Sequence, residues 1–320
     1  MQREPIRPTI EKVPLVRNLL TICDLTQKEI ETVFAITKDL KTKYQAGLRE
    51  PLLPGRVMAL LFEKQSLRTR VSFETAMVHL GGGSLFLGRD VGWGERESIA
   101  DFGQVLSQYC DVVVCRTNSH DKLVQLAEHC TCPVINGLTD LAHPCQALSD
   151  LYTISEIHGA LNGLKLAFVG DANNVARSLA LACGKMGMQF SLASPPKYRF
   201  DDEFMNLLAT HCPDAIIEQT ADATNAVEGA AAVYTDVWTS MGQETERMER
   251  EAAFQEFRVD VELMAKARPN ACFLHCLPAR RGEEVDADVI DGQHSAVIQQ
   301  AGNRLHLQKG LLAWLMGATT

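Results

Sequence analysis

Several familiar signatures are missing from this sequence. It has no CxxC pair and no HExxH helix, the spacings from which a zinc ribbon or a zinc hydrolase is read. It has no GxxxxGK[ST] loop. The stretch GDANNVARS follows a strand-like run but lacks the second and third glycines of a dinucleotide fingerprint, which argues against a nucleotide-binding oxidoreductase. No apolar run approaches the roughly 18 residues of a membrane span. The opening MQREPIRPTIEKVP lacks the apolar core of a secretory signal. Basic residues are outnumbered, 31 Lys and Arg against 40 Asp and Glu for a net charge of −9, so a broad nucleic-acid face is not expected. There is no fixed-period repeat, low-complexity tract or obvious linker.

What is present suits two α/β domains. The 320 residues exceed what one small core needs, and 46% hydrophobic residues are ample for burial. The ten cysteines lie mostly in apolar contexts such as QYCDVVVCRT and ACGKMG, which reads as reduced, buried thiols in a cytoplasmic protein. The sharper alternative is a metal site at Cys130-x-Cys132 or at the His-Cys pairs 129–130, 211–212 and 275–276. A helix is expected from about Leu25 to Ala46, with Thr26 and Glu29 forming a capping box. Short β-like runs then alternate with helical patterns: RVMALLF, SLFLG, DVVVCR and CPVING in the first half, KLAFVG, MQFSLAS, AIIEQ, AAVYTDVW and ACFLHCL in the second. This alternation predicts two parallel β-sheets, each flanked by helices. The helical stretch 144–158 suits a connector between the domains, and AGNRLHLQKGLLAWLMG reads as an amphipathic C-terminal helix. The expected division is 1–148, 149–300 and a last segment, 301–320.

Ligands of such sheets bind at the carboxyl ends of strands. That rule selects EKQSLRTR, CRTN, NGLTDLAHPCQ, GDANNVARS, TDVWTSMGQE and HCLPARRGEE, which are also the segments richest in unusual polar residues. In the first of them, Ser66-Leu67-Arg68-Thr69-Arg70 opens a helix. Free N–H groups and a partial positive charge gather at a helix start, Ser66 and Thr69 add hydroxyls, and Arg68 adds a fork that matches phosphate. The plain alternative is that Arg68 and Arg70 are solvated or pair with Glu63 and Glu74.

The ordered motifs SLRTR, His143-Pro-Cys-Gln146, Asp236-Val-Trp-Thr-Ser240-Met241-Gly242 and His275-Cys276-Leu277-Pro278 resemble the aspartate/ornithine carbamoyltransferase family, the last two its ornithine branch. ESIAD at 97–101 and NRLH at 303–306 extend the likeness over nearly the whole chain. The resemblance implies a carbamoyl-phosphate domain, then an ornithine domain, with the final helix packing back on the first. It also implies a homotrimer with active sites near subunit boundaries, and a reaction that needs neither cofactor nor metal. Carbamoyl transfer to ornithine gives citrulline, in arginine biosynthesis or its catabolic reverse.

By the same resemblance, Ser66, Leu67, Arg68 and Thr69 hold the phosphate. Arg116, His143 and Gln146 hold the carbamoyl group, with Arg304, Cys276 and Leu277 completing that pocket. Asn174, Asp236, Ser240 and Met241 bind the amino acid, while Arg116, His143, Asp236 and Cys276 take catalytic roles. Read blandly, His143 is a capping or core histidine, Asp236 a helix N-cap and Arg304 an exposed helix arginine. Two departures stand out. Leucine occupies position 67, where threonine is the commonest family form, and GRDVGWGERES at 88–98 replaces a shorter loop, with Trp93 expected to cap the site or pack on the surface. Transfer to aspartate, putrescine or an acylated ornithine, and a non-catalytic binding subunit of the same fold, remain as alternatives.

Overall fold

The computed structural model describes residues 16–239 and 244–318. Thr26 caps helix α1 (Gln27–Gln45) through a capping box in which its hydroxyl accepts from the Glu29 N–H and Glu29 reaches back, as the sequence predicts. Strand β1 (Val57–Phe62), helix α2 (Leu67–His79), β2 (Gly83–Leu87), α3 (Ile99–Leu106), β3 (Val112–Arg116), α4 (His120–His129) and β4 (Val134–Leu138) follow. The next helix, α5 (Pro144–His158), leads into β5 (Lys165–Val169), α6 (Asn174–Lys185), β6 (Gln189–Ala193), α7 (Asp202–His211), β7 (Ile216–Thr220), α8 (Ala223–Val227) and β8 (Ala232–Thr235). Helices α9 (Arg247–Phe254) and α10 (Val261–Met264), strand β9 (Cys272–His275), and helices α11 (Ala287–Ile290) and α12 (Val297–Leu315) complete the order.

All strand pairs within the two sheets are parallel, in the orders β2-β1-β3-β4 and β7-β6-β5-β8-β9. The inner strands β1, β3 and β8 are almost wholly buried, which is why their sequences are continuous Val, Leu and Ala runs rather than alternating ones. Strand order reverses between β1 and β3 in the first sheet and between β5 and β8 in the second. Loops leaving the carboxyl ends of such neighbouring strands diverge to opposite sides and leave a crevice. The loops after β1 and β3 carry Ser66 and the end of the Arg116 strand, and Phe62 stands directly opposite Arg116 in the register. The loops after β5 and β8 carry Asn173 and Asp236.

Two helices join the sheets. In α5, every residue from Pro144 to Ile154 is buried, because the helix packs on α6, α12, β4 and β9 together. Helix α12 packs on α1, α2 and α5 and differs from the amphipathic reading. It begins at Val297 and is buried without a break from His306 to Ala313, since three helices surround it. The approach to α1 is close: a Cβ on Gly310 would lie 2.2 Å from Thr37 Oγ1. Trp93 also departs from both expectations. It is only 3% exposed, packs within the first domain beside Phe102 at 6.2 Å between ring centroids, and lies under the Lys122 ammonium.

Candidate active site

Ser66 is the N-cap of α2, its Oγ accepting from the Thr69 N–H at 3.2 Å. The same hydroxyl takes a hydrogen bond from Arg116 Nη1 at 3.2 Å, and Thr69 Oγ1 takes one from Arg116 Nη1 at 3.3 Å and one from Arg304 Nη2 at 3.4 Å. The helix start is thus laced to β3 and to α12. Arg304 is 2% exposed, which settles against a surface arginine, and its Nη1 donates to Gln146 Oε1. Arg68 lines the same floor, near enough that its charge bears on Arg116 and His143. Arg70 is not part of it: it pairs with Glu74 at 3.1 Å and stacks on Phe86, while Glu63 pairs with Lys122 instead of an arginine. Leu67 lines the cavity with 74% of its surface exposed.

Arg116 and Arg304 are buried, and with the half-exposed Arg68 beside them the three cations repel one another. Burial, then Arg304 and Arg68, bring the Arg116 guanidinium down to about 10. Burial and the same cations push His143 well below its ordinary range, so it stands as a neutral imidazole. His143 occupies the N-cap position of α5 without making a side-chain cap, so the capping reading does not hold. Its backbone N–H is fixed instead by Ser178 Oγ at 2.8 Å. The Nε of Arg116, the Nε of Arg304 and the Nδ1 of His143 are buried without a partner among the described residues. A built, desolvated set of donors with bonds still to make is the mark of an anion cradle.

The opposite wall belongs to the second sheet. Asp236 follows β8, is 8% exposed, and accepts from Asn173 Nδ2 at 2.9 Å and from the Cys276 thiol at 3.1 Å. Burial, reinforced by the Asp236 carboxylate, pushes the Cys276 thiol well up, so it is a donor and not a thiolate. Asn174 turns to the first domain, its Nδ2 donating to the Thr139 carbonyl at 2.6 Å. Ser240 and Met241 lie outside the described residues. Leu277 has a left-handed backbone (φ 58°), and its N–H is held by His275 Nδ1 at 2.9 Å. His275 Nε2 in turn meets Glu284 at 3.2 Å, both side chains fully buried.

Sequence reasoning missed Asn173, which both caps α6 and holds Asp236, although it sits in the selected GDANNVARS segment. It also missed Arg250, which bridges Asp171 at 2.7 Å and Glu246 at 2.9 Å along the cavity rim; no strand-end position flags it. Among the described residues, Asp236, His275 and Cys276 form the one group whose potential ligand atoms lie within 4.8 Å of one another. Both His275 nitrogens are already engaged, and the thiol is held protonated, so the group fits a hydrogen-bonded turn better than a metal centre. The cysteine pair 130 and 132 and the His-Cys pairs 129–130 and 211–212 gain no third ligand within that distance among the described residues.

Both walls enclose a cavity of about 1020 Å³ between the sheets, lined by Arg68, Arg116, His143 and Arg304 on one side and Asp236 and Cys276 on the other. A cationic cradle facing a carboxylate across a shared cleft defines a two-substrate transferase that takes an anionic donor and a cationic or amine acceptor. Comparison with known proteins agrees. The carbamoyl-P binding domain of aspartate/ornithine carbamoyltransferases matches residues 17–156, and the Asp/Orn binding domain matches residues 162–315. This chain belongs to the aspartate/ornithine carbamoyltransferase family. It is 48% identical to an ornithine carbamoyltransferase of Bacillus subtilis over 92% of both chains, and 45% identical to an anabolic ornithine carbamoyltransferase of Pyrococcus furiosus over 94% of this chain and 96% of that one. A solved ornithine carbamoyltransferase from Pyrococcus furiosus superposes with a TM-score of 0.91 at 44% identity, covering 95% of this chain and 98% of the other.

Proposed function

We propose that this chain transfers the carbamoyl group of carbamoyl phosphate to the side-chain amine of L-ornithine, giving L-citrulline and phosphate. The observation that carries this is the desolvated Arg116–His143–Arg304 cradle facing the Asp236–Cys276 pair across one cavity. The amine nitrogen attacks the carbonyl carbon and an oxyanion forms. The bond from carbon to the phosphate oxygen then breaks, phosphate leaves with the electron pair, and the proton lost by the nitrogen goes to the departing phosphate oxygen. Ser66, the Leu67 N–H, Arg68 and Thr69 bind the leaving phosphate, a role that leaves the missing threonine hydroxyl at 67 of little consequence. Arg116 and neutral His143 donate to the carbonyl oxygen where charge develops; each such donor is worth on the order of a hundredfold in turnover. Gln146 accepts from the carbamoyl N–H, beside Arg304 and the Leu277 carbonyl.

Asp236 orients the amine and attracts its ammonium form. The protonated Cys276 thiol supports Asp236 by donation. Asn174, Ser240 and Met241 hold the α-amino and α-carboxylate groups. Apolar side chains left exposed on α2 and on the edge strand β2, among them Leu67, Val71, Leu85 and Phe86, support assembly as a homotrimer. Ten free cysteines, eight of them buried, support a reducing, cytoplasmic setting. No helix among the described residues is long and apolar enough to cross a membrane.

The test is to incubate the purified protein with carbamoyl phosphate and a panel of amines, measuring ureido product and released phosphate. Product with ornithine and little with aspartate, putrescine or acetylornithine is expected. Product confined to one of the others overturns the acceptor, and no product with any amine points to a binding subunit.

A further inference from the structure

A buried carboxylate lies behind the site, outside every motif the reaction uses. Asp150, one turn after Gln146 on α5, is fully buried. Its Oδ1 accepts from Gln146 Nε2 at 2.8 Å and from Gln300 Nε2 at 2.7 Å, and the Tyr234 hydroxyl lies within reach of the same carboxylate. Gln146 is the carbamoyl-side residue, and Gln300 stands in the first turn of α12. The far ends of both amides are committed as well. Gln146 Oε1 accepts from Arg304, and Gln300 Oε1 accepts from the His275 N–H at 2.9 Å, at the end of β9 and one residue before Cys276. The second hydrogen of Gln300 Nε2 meets the Tyr234 hydroxyl at 3.2 Å.

Chemistry leaves each amide one orientation. A guanidinium and a backbone N–H only donate, and Asp150 Oδ1 accepts, so neither glutamine can flip without setting donor against donor and oxygen against oxygen. Remove the acceptor and each amide loses the partner its NH2 needs, so only Arg304 and the His275 N–H still oppose a flip. Gln146 could then turn its NH2 toward the cavity, where an N–H of the carbamoyl group needs an oxygen.

We propose that Asp150 is a positioning residue that locks the Gln146 and Gln300 amides, presenting Gln146 Oε1 to the carbamoyl N–H and tying the Cys276 turn to the same frame. It touches neither substrate. Its carboxylate joins the carbamoyl side of the cavity to the amine side through one oxygen atom. The proposal rests on the carbamoyl-transfer reading above.

The experiment compares Asp150→Leu, which cannot accept, with Asp150→Asn, which keeps a carbonyl oxygen in the Oδ1 place. For Asp150→Leu, kcat/KM for carbamoyl phosphate is expected to fall roughly tenfold or more, the usual result of leaving buried partners unmatched. Inhibition by inorganic phosphate should change clearly less than turnover does, since the Ser66, Arg68 and Thr69 donors do not contact Asp150 and are reached from it only through Gln146 and Arg304. Asp150→Asn is expected to recover activity to within roughly threefold of wild type. Wild-type turnover in Asp150→Leu overturns the proposal, as does phosphate inhibition weakening in step with turnover, the mark of a general structural loss. If the leucine variant fails to fold, the asparagine variant decides alone: folded protein with turnover down more than about tenfold overturns it. The two readings fail separately. A wild type that makes no ureido product sinks the proposed function and this proposal with it, whereas an active wild type beside an equally active Asp150→Leu sinks this proposal alone.

Discussion

At the scale of single residues, the site works by concentrating donors where water is excluded. Arg68 is the most telling position, because it adds a half-exposed positive charge to a floor already holding the buried Arg116 and Arg304. Replacing it with alanine is expected to lower kcat/KM for carbamoyl phosphate by about a hundredfold or more, a typical loss for one charge-stabilising donor. Circular dichroism and melting temperature should stay near wild type, since Arg68 is half-exposed on a first helical turn. Near-normal turnover in that variant discredits the cradle.

The acceptor sets the pH dependence. An alkyl ammonium of pKa about 10 is mostly protonated at neutral pH, and only its neutral form attacks. With His143 already neutral and Cys276 already protonated across this range, neither group gains or loses activity between pH 6 and 9. Turnover at limiting ornithine should therefore climb across that interval as the free amine fraction rises. A flat profile counts against amine deprotonation as the controlling step.

At the scale of elements, two helix starts and two strand ends build the site. Ser66 capping α2 is local chemistry: the hydroxyl, the three free N–H groups and the arginine fork lie within five residues, so the sequence shows them directly. The α1 capping box is legible for the same reason. Helix α12 was legible as a helix but not as an enclosed one, because amphipathicity measures one buried face, and a helix enclosed by three others has none that stands apart. Edge strand β2 poses the opposite problem. Leu85 is 49% and Phe86 40% exposed on a strand with one unpaired edge, a combination that soluble chains cover. If assembly uses this face, the wild type should run at three times the 35.3 kDa chain mass by light scattering, and Leu85→Glu should shift it to single chains. A trimer that survives the glutamate places the contact elsewhere.

At the scale of the whole molecule, the cleft exists because both sheets reverse strand order at matching places. Loops after β1 and β3 meet loops after β5 and β8 across α5, whose own first turns carry His143 and Gln146. Trp93 shows what a linear reading cannot supply. An indole in a Gly-rich loop looks exposed, but the loop folds it onto Phe102 and under Lys122, away from the cavity. Arg304 reaches Thr69 from 235 positions away, and Asp150 meets Gln300 from 150 positions away.

The sequence by itself determined the parallel α/β class, the polar strand-end loops that line the cavity, and the donor-rich helix start at Ser66, because periodicity, turn residues and caps act over a few neighbouring positions. Only the tertiary structure decided which arginines share one floor, that Asn173 supports Asp236, that Cys276 stays a thiol, and that Asp150 stands between two glutamines. Those outcomes depend on burial and on contacts between distant segments, and burial is what turns an ordinary charge or amide into one with a single permitted state.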